Sequence, residues 1–310
     1  MTTVFGNDKN MNGVINVYKE KGYTSHDVVA KLRGILKIKK TGHTGTLDPD
    51  AQGVLPVCIG NATKLCDFIM EKNKEYDAEL ILGKKTDTLD SSGRIIEVSD
   101  HYRYLTRQEV EQCINGFVGE YKQIPPMYSA IKVNGKKLYE LARQGIEIER
   151  KARNVTIRGI DIISFDMPVI RIKVKCSRGT YIRTLCNDIG DRLSTYGCMG
   201  NLVRTKSGRF KIEDSIKLSE IENHMKNHTL QEILIPTDEV LSEFESLLID
   251  EKYNKLLMNG NTLEKKMFRF CDAAELEDGK MVKVYDGNNH FKAVYRYVKK
   301  DNLFKNEKMF

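Results

Sequence analysis

The sequence predicts an α+β protein with one large domain followed by a small β-rich domain. Strand-like alternation and helix-like spacing occur in mixed order along the 310 residues, without the strict strand–helix–strand repeat of a parallel α/β fold. A chain of this length suits one large domain with a good core and a smaller second one. Near the C-terminus, two strand-like runs flank Asp286-Gly287, which predicts a hairpin. We therefore place the two domains at residues 1–246 and 247–310.

The N-terminal part is predicted to contain two strands and two helices. Residues 13–18 favour a short strand, and the apolar run 54–59 favours a buried strand. Between them, apolar residues at helical spacing predict a helix over residues 25–36, with Ser25 as its N-cap. A second helix is expected to begin at Asn61.

The middle of the chain contains both strand and helix signals. Residues 76–82 alternate in polarity, as in a strand with one buried face. A loop over residues 84–93 is expected to lead into a strand over residues 94–98. Thr106 and Glu109 have the spacing of a capping box, which predicts that a helix begins there.

Further elements complete the predicted large domain. After a loop at residues 123–127 and a turn at 134–135, residues 136–144 favour a helix. Two strands are expected between residues 154 and 177, followed by a helix that includes residues 185–193. In the second strand, apolar residues alternate with three basic ones, so its outer face would carry positive charge. These basic residues are Arg171, Lys173 and Lys175.

The net charge of +7 conceals an uneven distribution. Residues 213–251 contain eleven acidic residues and two lysines, whereas the rest of the chain carries 48 Lys and Arg against 32 Asp and Glu. We interpret residues 213–246 as an acidic connector that is helical in pattern. The basic remainder suits a polyanionic partner, because neutralising phosphates supplies affinity and steers association.

Composition argues against a membrane protein, a disulfide scaffold and a zinc protein. No apolar run approaches the roughly 18 residues of a membrane span, and residues 1–12 lack the apolar core of a signal peptide. The seven cysteines are scattered and form no C-x-x-C pair, so we expect reduced thiols. The expected location is the cytoplasm.

Residues 42–56, GHTGTLDPDAQGVLP, are the most informative stretch. They place one carboxylate, Asp48, in a glycine-punctuated loop directly before the buried strand 54–59. Pro49 restricts the chain after Asp48, and the glycines permit close backbone approach. The simpler alternative is a surface turn in which Asp48 bonds only its own backbone. The complete string, however, resembles the catalytic motif of the bacterial tRNA pseudouridine-55 synthases, the TruB family.

Three further segments resemble the same family and occur in the same order. They are residues 74–76 with 85–88, residues 124–132 with 135–139, and residues 178–184. The C-terminal segment resembles the PUA-like RNA-binding module that often follows this catalytic domain. The resemblance thus implies a mixed-sheet pseudouridine synthase domain followed by a small PUA-like domain.

One departure is visible at residues 19–22, which read KEKG where these enzymes usually read Lys-Pro-x-Gly.

The resemblance implies that uridine is isomerised to pseudouridine at position 55 in the T loop of tRNA. This reaction breaks the bond between uracil N1 and ribose C1′ and rejoins the base through C5. It includes no redox step, so neither a cofactor nor a metal is expected. Asp48 would act on the ribose, either by covalent attack or by removing the C2′ proton. Arg183 would pair with Asp48 and keep it ionised.

The family match also implies which residues hold the target base, which must be flipped out of the folded RNA. Tyr76 would stack on the uracil, and its hydroxyl would be placed to move the C5 proton. Tyr181 and Leu202 would line the same pocket, and His43 would fill the space that the flipped nucleotide leaves. On pattern alone, Tyr76, Tyr181 and Leu202 would be core residues, and His43 a loop imidazole bonded to the backbone.

Other activities remain open from the sequence. A guide-RNA-dependent relative would use the same chemistry, with a long N-terminal extension or a lysine-rich tail expected. A catalytically silent RNA-binding or tRNA-folding protein would not need Asp48, Tyr76 and Arg183 together. A base-excising glycosidase would need a second carboxylate beside Asp48, which Asp87 or Asp90 could supply. We expect a monomeric enzyme whose partner is the T stem-loop of tRNA.

Overall fold

The computed structural model describes residues 11–133, 135–269 and 276–310. The predicted turn residue Asn134 and one of the seven cysteines, Cys271, lie outside these ranges. The described strands are β1 (Gly13–Lys19), β2 (Thr41–His43), β3 (Gln52–Ile59), β4 (Lys74–Leu82), β5 (Lys84–Thr86), β6 (Ile95–Val98), β7 (Gly119–Gln123), β8 (Lys132–Val133), β9 (Lys136–Lys137), β10 (Arg153–Asp166), β11 (Val169–Cys176), β12 (Gly197–Ser207), β13 (Phe210–Lys211), β14 (Glu245–Leu248), β15 (Leu263–Glu264), β16 (Met281–Tyr285), β17 (Phe291–Val298) and β18 (Leu303–Met309). The described α-helices are α1 (Ser25–Leu36), α2 (Cys66–Met70), α3 (Arg107–Asn115), α4 (Leu138–Arg143), α5 (Ile182–Arg192), α6 (Leu218–Lys226), α7 (Thr237–Val240) and α8 (Asn254–Met258).

A large mixed sheet organises the first part of the chain. Its strand order is β1-β3-β12-β4-β11-β10-β7, with β2 added beside β3 and β13 beside β12. Strand β12 runs parallel to β3 and antiparallel to β4. The predicted α+β class with a mixed sheet is therefore confirmed.

The central strand β4 shows how alternation in the sequence builds the two faces of this sheet. Its even-numbered residues are buried, and those from 76 to 82 form one apolar core with α3 and α5. Its odd-numbered residues point to the other face, where they are in register with the basic residues of β11. These cross-strand pairs are Glu75 with Lys175, Asp77 with Lys173, and Glu79 with Arg171. The basic row that the sequence predicted is thus partly neutralised, and it lies on the face opposite Tyr76.

The acidic segment 213–246 covers the outer edge of the large sheet. The amide of Tyr18 in β1 donates to the carbonyl of Ile216, and Val14 and Ile235 exchange two backbone hydrogen bonds. Helix α6 packs with α1 on the apolar side chains of β1 and β3. The segment therefore completes the core of the first part of the chain.

The C-terminal part forms a second sheet with its own core. Its strand order is β14-β16-β17-β18-β15, and the predicted hairpin is β16 with β17. Strand β14 begins at Glu245, just before the boundary predicted at residues 246 and 247. The two sheets share an apolar cluster that includes Val54 of β3 and Val294 of β17.

Several local predictions need correction. Thr24, whose side chain accepts from the amide of Asp27, caps α1 in place of Ser25. The segment that begins near Asn61 is a 3₁₀ turn followed by the short helix α2. The predicted loop 84–93 includes β5, which pairs with β6. The helix expected over residues 136–144 is shorter, because β9 occupies its first two residues.

In the described part of the chain, no helix has the length and apolar character that crossing a membrane requires. The same residues contain no group of His, Cys, Asp or Glu side chains arranged to hold a metal ion. Six cysteines are described, and all of them are free thiols.

Candidate active site

The loop between β2 and β3 presents Asp48 and is held by side chains from the elements around it. Ser25 at the start of α1 accepts from the Leu47 amide through Oγ at 2.9 Å. From β1, the buried Lys19 Nζ donates to the carbonyls of Pro49 and Ala51 at 3.0 and 2.5 Å. These bonds fix the backbone on both sides of Asp48.

Arg204 of β12 holds the two ends of the same loop. Its Nε donates to the carbonyl of Val54 at 2.7 Å, and one terminal nitrogen donates to the carbonyl of Gly45 at 3.2 Å. Strand β12 also passes so close to Gly53 that a Cβ there would lie 2.3 Å from the Arg204 carbonyl oxygen. Gly53 has a φ of +103°, so both space and backbone conformation require glycine at this position.

Asp48 forms a two-point ion pair with Arg183, which lies in the first turn of α5. The Nε–Oδ2 distance is 2.9 Å, and a terminal nitrogen of Arg183 donates to Oδ1 at 3.1 Å. Arg183 is buried, and it also donates to the carbonyls of Thr88 and Tyr128 at 3.1 and 2.8 Å. Because the guanidinium is fixed by these carbonyls, it orients the carboxylate as well as balancing its charge.

Asp90 places a second carboxylate beside this ion pair, with Oδ2 3.9 Å from Arg183 Nε. Burial raises the pKa of the Asp48 carboxyl above its usual range, the Arg183 charge opposes this shift, and the Asp90 charge adds to it. A carboxylate with a raised pKa is a stronger base and nucleophile than an ordinary one, provided that it is ionised.

A cavity of about 900 Å³ opens above Asp48. Asp48, Arg183 and Leu202 line it, and Lys21 contributes a positive charge at its wall. The segment after β7 supplies another part of the wall. From the sequence, no role was assigned to its residues. These are Tyr128, Ser129, Lys137, Tyr139 and Arg143. The volume lies within the usual range of about 300–1,000 Å³ for small-molecule sites.

Tyr76 and Tyr181 are not among the residues that line this cavity. Tyr76 is buried in the apolar cluster that also contains Leu47, Ala51 and Leu202. Tyr181 directly precedes α5, and its backbone amide and carbonyl both bond the side chain of Gln123, at 2.8 and 2.9 Å. Burial raises the pKa of both tyrosine hydroxyls, and the charge of Asp48 adds to this effect.

His43 lies at the end of β2, where its ring contacts His26 with the centroids 5.5 Å apart. Its Nδ1 accepts from the Gly45 amide at 3.3 Å, the backbone bond that the simpler interpretation of this histidine expected. Burial lowers the pKa of His43 to about 4, so its ring is neutral near pH 7.

Sequence reasoning missed Arg204 and gave Lys19 and Ser25 no role at the loop. An arginine in a strand and a lysine at a strand end normally lie in solvent, so neither pattern signals a buried cation. These residues bond backbone amides and carbonyls that are distant in the chain, and no local sequence pattern encodes such contacts.

Two family models match consecutive parts of the chain. Residues 33–182 match the N-terminal domain of TruB family pseudouridylate synthase, and residues 183–242 match the tRNA pseudouridylate synthase B C-terminal domain. A protein of Lachnoclostridium phytofermentans called tRNA pseudouridine synthase B is 50% identical over 97% of this chain and 100% of its own length. A protein of the same name from Clostridium tetani is 49% identical over 89% of this chain and 92% of its own length.

The fold is similar to solved structures of larger assemblies. A chain in an H/ACA RNP bound to a substrate RNA containing 2′-deoxyuridine superposes with a TM-score of 0.72 and 23% identity, over 96% of this chain and 84% of that one. A chain in a Cbf5-Nop10-Gar1 complex gives the same TM-score at 24% identity, with the same shares covered. These similarities confirm the fold. The family models and the near full-length relatives lead to one assignment: the chain belongs to the TruB family of pseudouridylate synthases.

Proposed function

We propose that this protein isomerises uridine to pseudouridine at position 55 in the T loop of tRNA, as a monomer in the cytoplasm. The two-point ion pair between Asp48 and Arg183, at the wall of a cavity that can hold a flipped nucleotide, is the observation that supports this most strongly. The names of relatives that are 44–50% identical to this chain agree with tRNA as the substrate.

In this proposal Asp48 acts on the ribose of the target uridine. It attacks C1′ or removes the C2′ proton, and either route releases the uracil for rotation. Arg183 keeps Asp48 ionised in spite of its burial and Asp90. The rate should therefore fall with decreasing pH as Asp48 is protonated, and this should occur above the ordinary carboxyl range of about 4.

Tyr76 and Leu202 are proposed to hold the uracil while it turns. Stacking on one aromatic ring contributes about 1–3 kcal/mol per base, which helps to offset the loss of stacking within the RNA. Tyr181 would complete the pocket, and His43 would occupy the space left in the RNA. The neutral state of His43 suits that task, since a ring placed among bases must lose its water.

We also propose a division of labour between residues 1–246 and 247–310. The proposed catalytic residues Asp48, Tyr76 and Arg183 all precede the second sheet, which would add phosphate contacts. Because the basic row of β11 lies on the face opposite Tyr76, the tRNA should approach the cavity face, where Lys21, Lys137 and Arg143 lie.

The test is to map modified uridines in an unmodified tRNA transcript after exposure to the purified protein. A transcript with cytidine at position 55 and the Asp48→Asn variant serve as controls, and both should give no pseudouridine. Release of free uracil would indicate base excision, to which Asp90 could contribute. Equal tRNA refolding by the wild type and the variant, without modification, would indicate an RNA-folding protein.

A further inference from the structure

Arg204 is the largest side chain in the described part of the molecule that is almost completely buried, with 1% of its surface exposed. Burying a guanidinium is costly unless hydrogen bonds and neighbouring groups compensate for the lost water. No salt bridge to a carboxylate is found for Arg204 among the described residues. Other groups around Arg204 must therefore compensate for the cost of burying its charge.

Backbone carbonyls of the Asp48 loop accept the hydrogen bonds of the Arg204 guanidinium. The carbonyls of Gly45 and Thr46 lie before Asp48, at 3.2 and 3.5 Å from the terminal nitrogens, and that of Val54 lies after it at 2.7 Å from Nε. One planar guanidinium thus spans the loop that presents the carboxylate. Its fork of donors fits several acceptors, which a lysine ammonium with its single nitrogen would not reach together.

Tyr76 is the other neighbour of Arg204. The two residues lie directly opposite each other on the antiparallel strands β4 and β12, so both side chains project from the same face of the sheet. Burial raises the pKa of the Tyr76 hydroxyl, and the positive charge of Arg204 opposes this effect. A cation at this place stabilises the phenolate, the form of tyrosine that accepts a proton.

We propose that Arg204 is a positioning residue that couples the two proposed catalytic groups. It fixes the loop that carries Asp48, and its charge, directly opposite Tyr76, stabilises the Tyr76 phenolate that accepts the C5 proton. The inference rests on the proposed function, because it assigns Tyr76 to the late step of that reaction.

In this late step, Tyr76 removes the proton from C5 of the rotated uracil. After C5 bonds to C1′, the Tyr76 phenolate oxygen takes the proton from C5. The electron pair of the broken C5–H bond forms the C5–C6 double bond, the pair of the N1–C6 double bond moves to N1, and N1 takes up one proton from water. Tyr76 then returns its proton to water, so no oxidant, reductant or co-reactant is needed.

The experiment compares single-turnover rates on tRNA with hydrogen or deuterium at C5 of the target uridine. Arg204→Lys keeps the positive charge but loses the fork of donors. We expect its rate to fall at least tenfold and its deuterium isotope effect to exceed that of the wild type, because removal of the C5 proton becomes limiting. Ser25→Ala is the matched control, since the Ser25 hydroxyl bonds the backbone of Leu47 in the same loop. It should slow the reaction without raising the isotope effect.

Tyr76→Phe completes the comparison. If Arg204 acts through Tyr76, Arg204→Lys should slow the reaction less in the Tyr76→Phe background than in the wild type. An unchanged isotope effect in Arg204→Lys, together with a raised one in Tyr76→Phe, would show that Arg204 only fixes the loop and would overturn the proposal. A wild type that forms no pseudouridine would instead refute the proposed function.

If Arg204→Lys does not fold, a second measurement needs no change at that position. The isotope effect of the wild type should fall as the pH rises and the small fraction of phenolate grows, whereas that of Tyr76→Phe should not depend on pH. A pH-independent isotope effect in the wild type would refute the role of Arg204 in the charge state of Tyr76.

Discussion

At the scale of single residues, we predict that the ionised Asp48 side chain lowers the free energy of unfolding at pH 7. Because its folded pKa is raised, it favours folding when protonated, and this contribution is lost as pH rises through the folded pKa. At pH 7 the ionised group is therefore less favourable in the folded than in the unfolded chain. Asp48→Asn should reduce turnover by orders of magnitude. Its free energy of unfolding should be equal to that of the wild type or higher.

Urea unfolding at pH 7, together with single-turnover assays, tests this prediction. The exposed Asp67 provides the control, since Asp67→Asn should change neither quantity. An Asp48→Asn variant that loses more than about 2 kcal/mol would show that the ion pair stabilises the fold, as happens when a buried pair loses one partner.

The second prediction concerns His43 and the dependence of protein stability on pH. Its folded pKa is about 4 and its unfolded value about 6.5, so the unfolded chain binds the proton more tightly between these values. The wild type should therefore lose stability as pH falls from 6.5 towards 4, and His43→Gln should lose less. Urea unfolding at pH 7 and pH 5 measures the difference. The matched variant His101→Gln, at an exposed position, should behave as the wild type.

At the scale of elements, the packing of α5 against β12 decides where Arg183 lies. A Cβ at Gly190 of α5 would lie 2.2 Å from the Gly197 amide nitrogen, a backbone atom that cannot easily move. Gly190→Ala should therefore cost about 1–3 kcal/mol or more and reduce activity, because it displaces the helix that carries Arg183.

Gly34 of α1 is the matched control for this prediction. It is also a helical glycine, but a Cβ there meets no atom within 4 Å. Gly34→Ala should stabilise the protein by about 0.5–1 kcal/mol through helix propensity alone. Thermal unfolding of both variants separates the packing effect from the propensity effect, and similar midpoints would contradict the close contact.

Elements with a strong local pattern could be predicted from the sequence, and others could not. Strand β4 and helix α3 carry their own alternation or capping box, and both were predicted near their observed positions. Strands β5, β7 and β18 are short or polar and were missed, because they are defined by pairing with partners that a local pattern does not specify. Within the candidate site, the continuous motif around Asp48 was recognisable, whereas Arg204 required the fold.

For the whole molecule, the apolar contact between the two sheets predicts that they depend on each other. Val294 of β17 is completely buried in a cluster with Val14, Val54 and Leu65 of the first part, and Lys64 Nζ donates to the Met309 carbonyl at 2.6 Å. Removing residues 247–310 should uncover this cluster and cost at least as much as a large-to-small core substitution, about 2–5 kcal/mol.

The measurement is urea unfolding of the truncated and full-length proteins, with binding of a hydrophobic dye as a second readout. More dye should bind to the truncated form. If the truncated protein unfolds at the same urea concentration as the full-length protein, the first sheet does not need the second sheet for its stability. In that case, salt-dependent tRNA affinity of the truncated protein would directly test RNA binding by the second sheet.

The anchoring of the Asp48 loop by β12 has a consequence for synthesis on the ribosome. Asp48 and Arg183 are separated by 135 residues, and the bond between Arg204 and Val54 spans 150. A nascent chain that already displays Asp48 outside the exit tunnel therefore lacks both arginines that orient it. Asp48 is synthesised early, and its loop lacks the contacts of Arg204 until β12 emerges and inserts between β3 and β4. We therefore expect a chain that ends before β12 to be inactive on tRNA, even though it already contains Asp48.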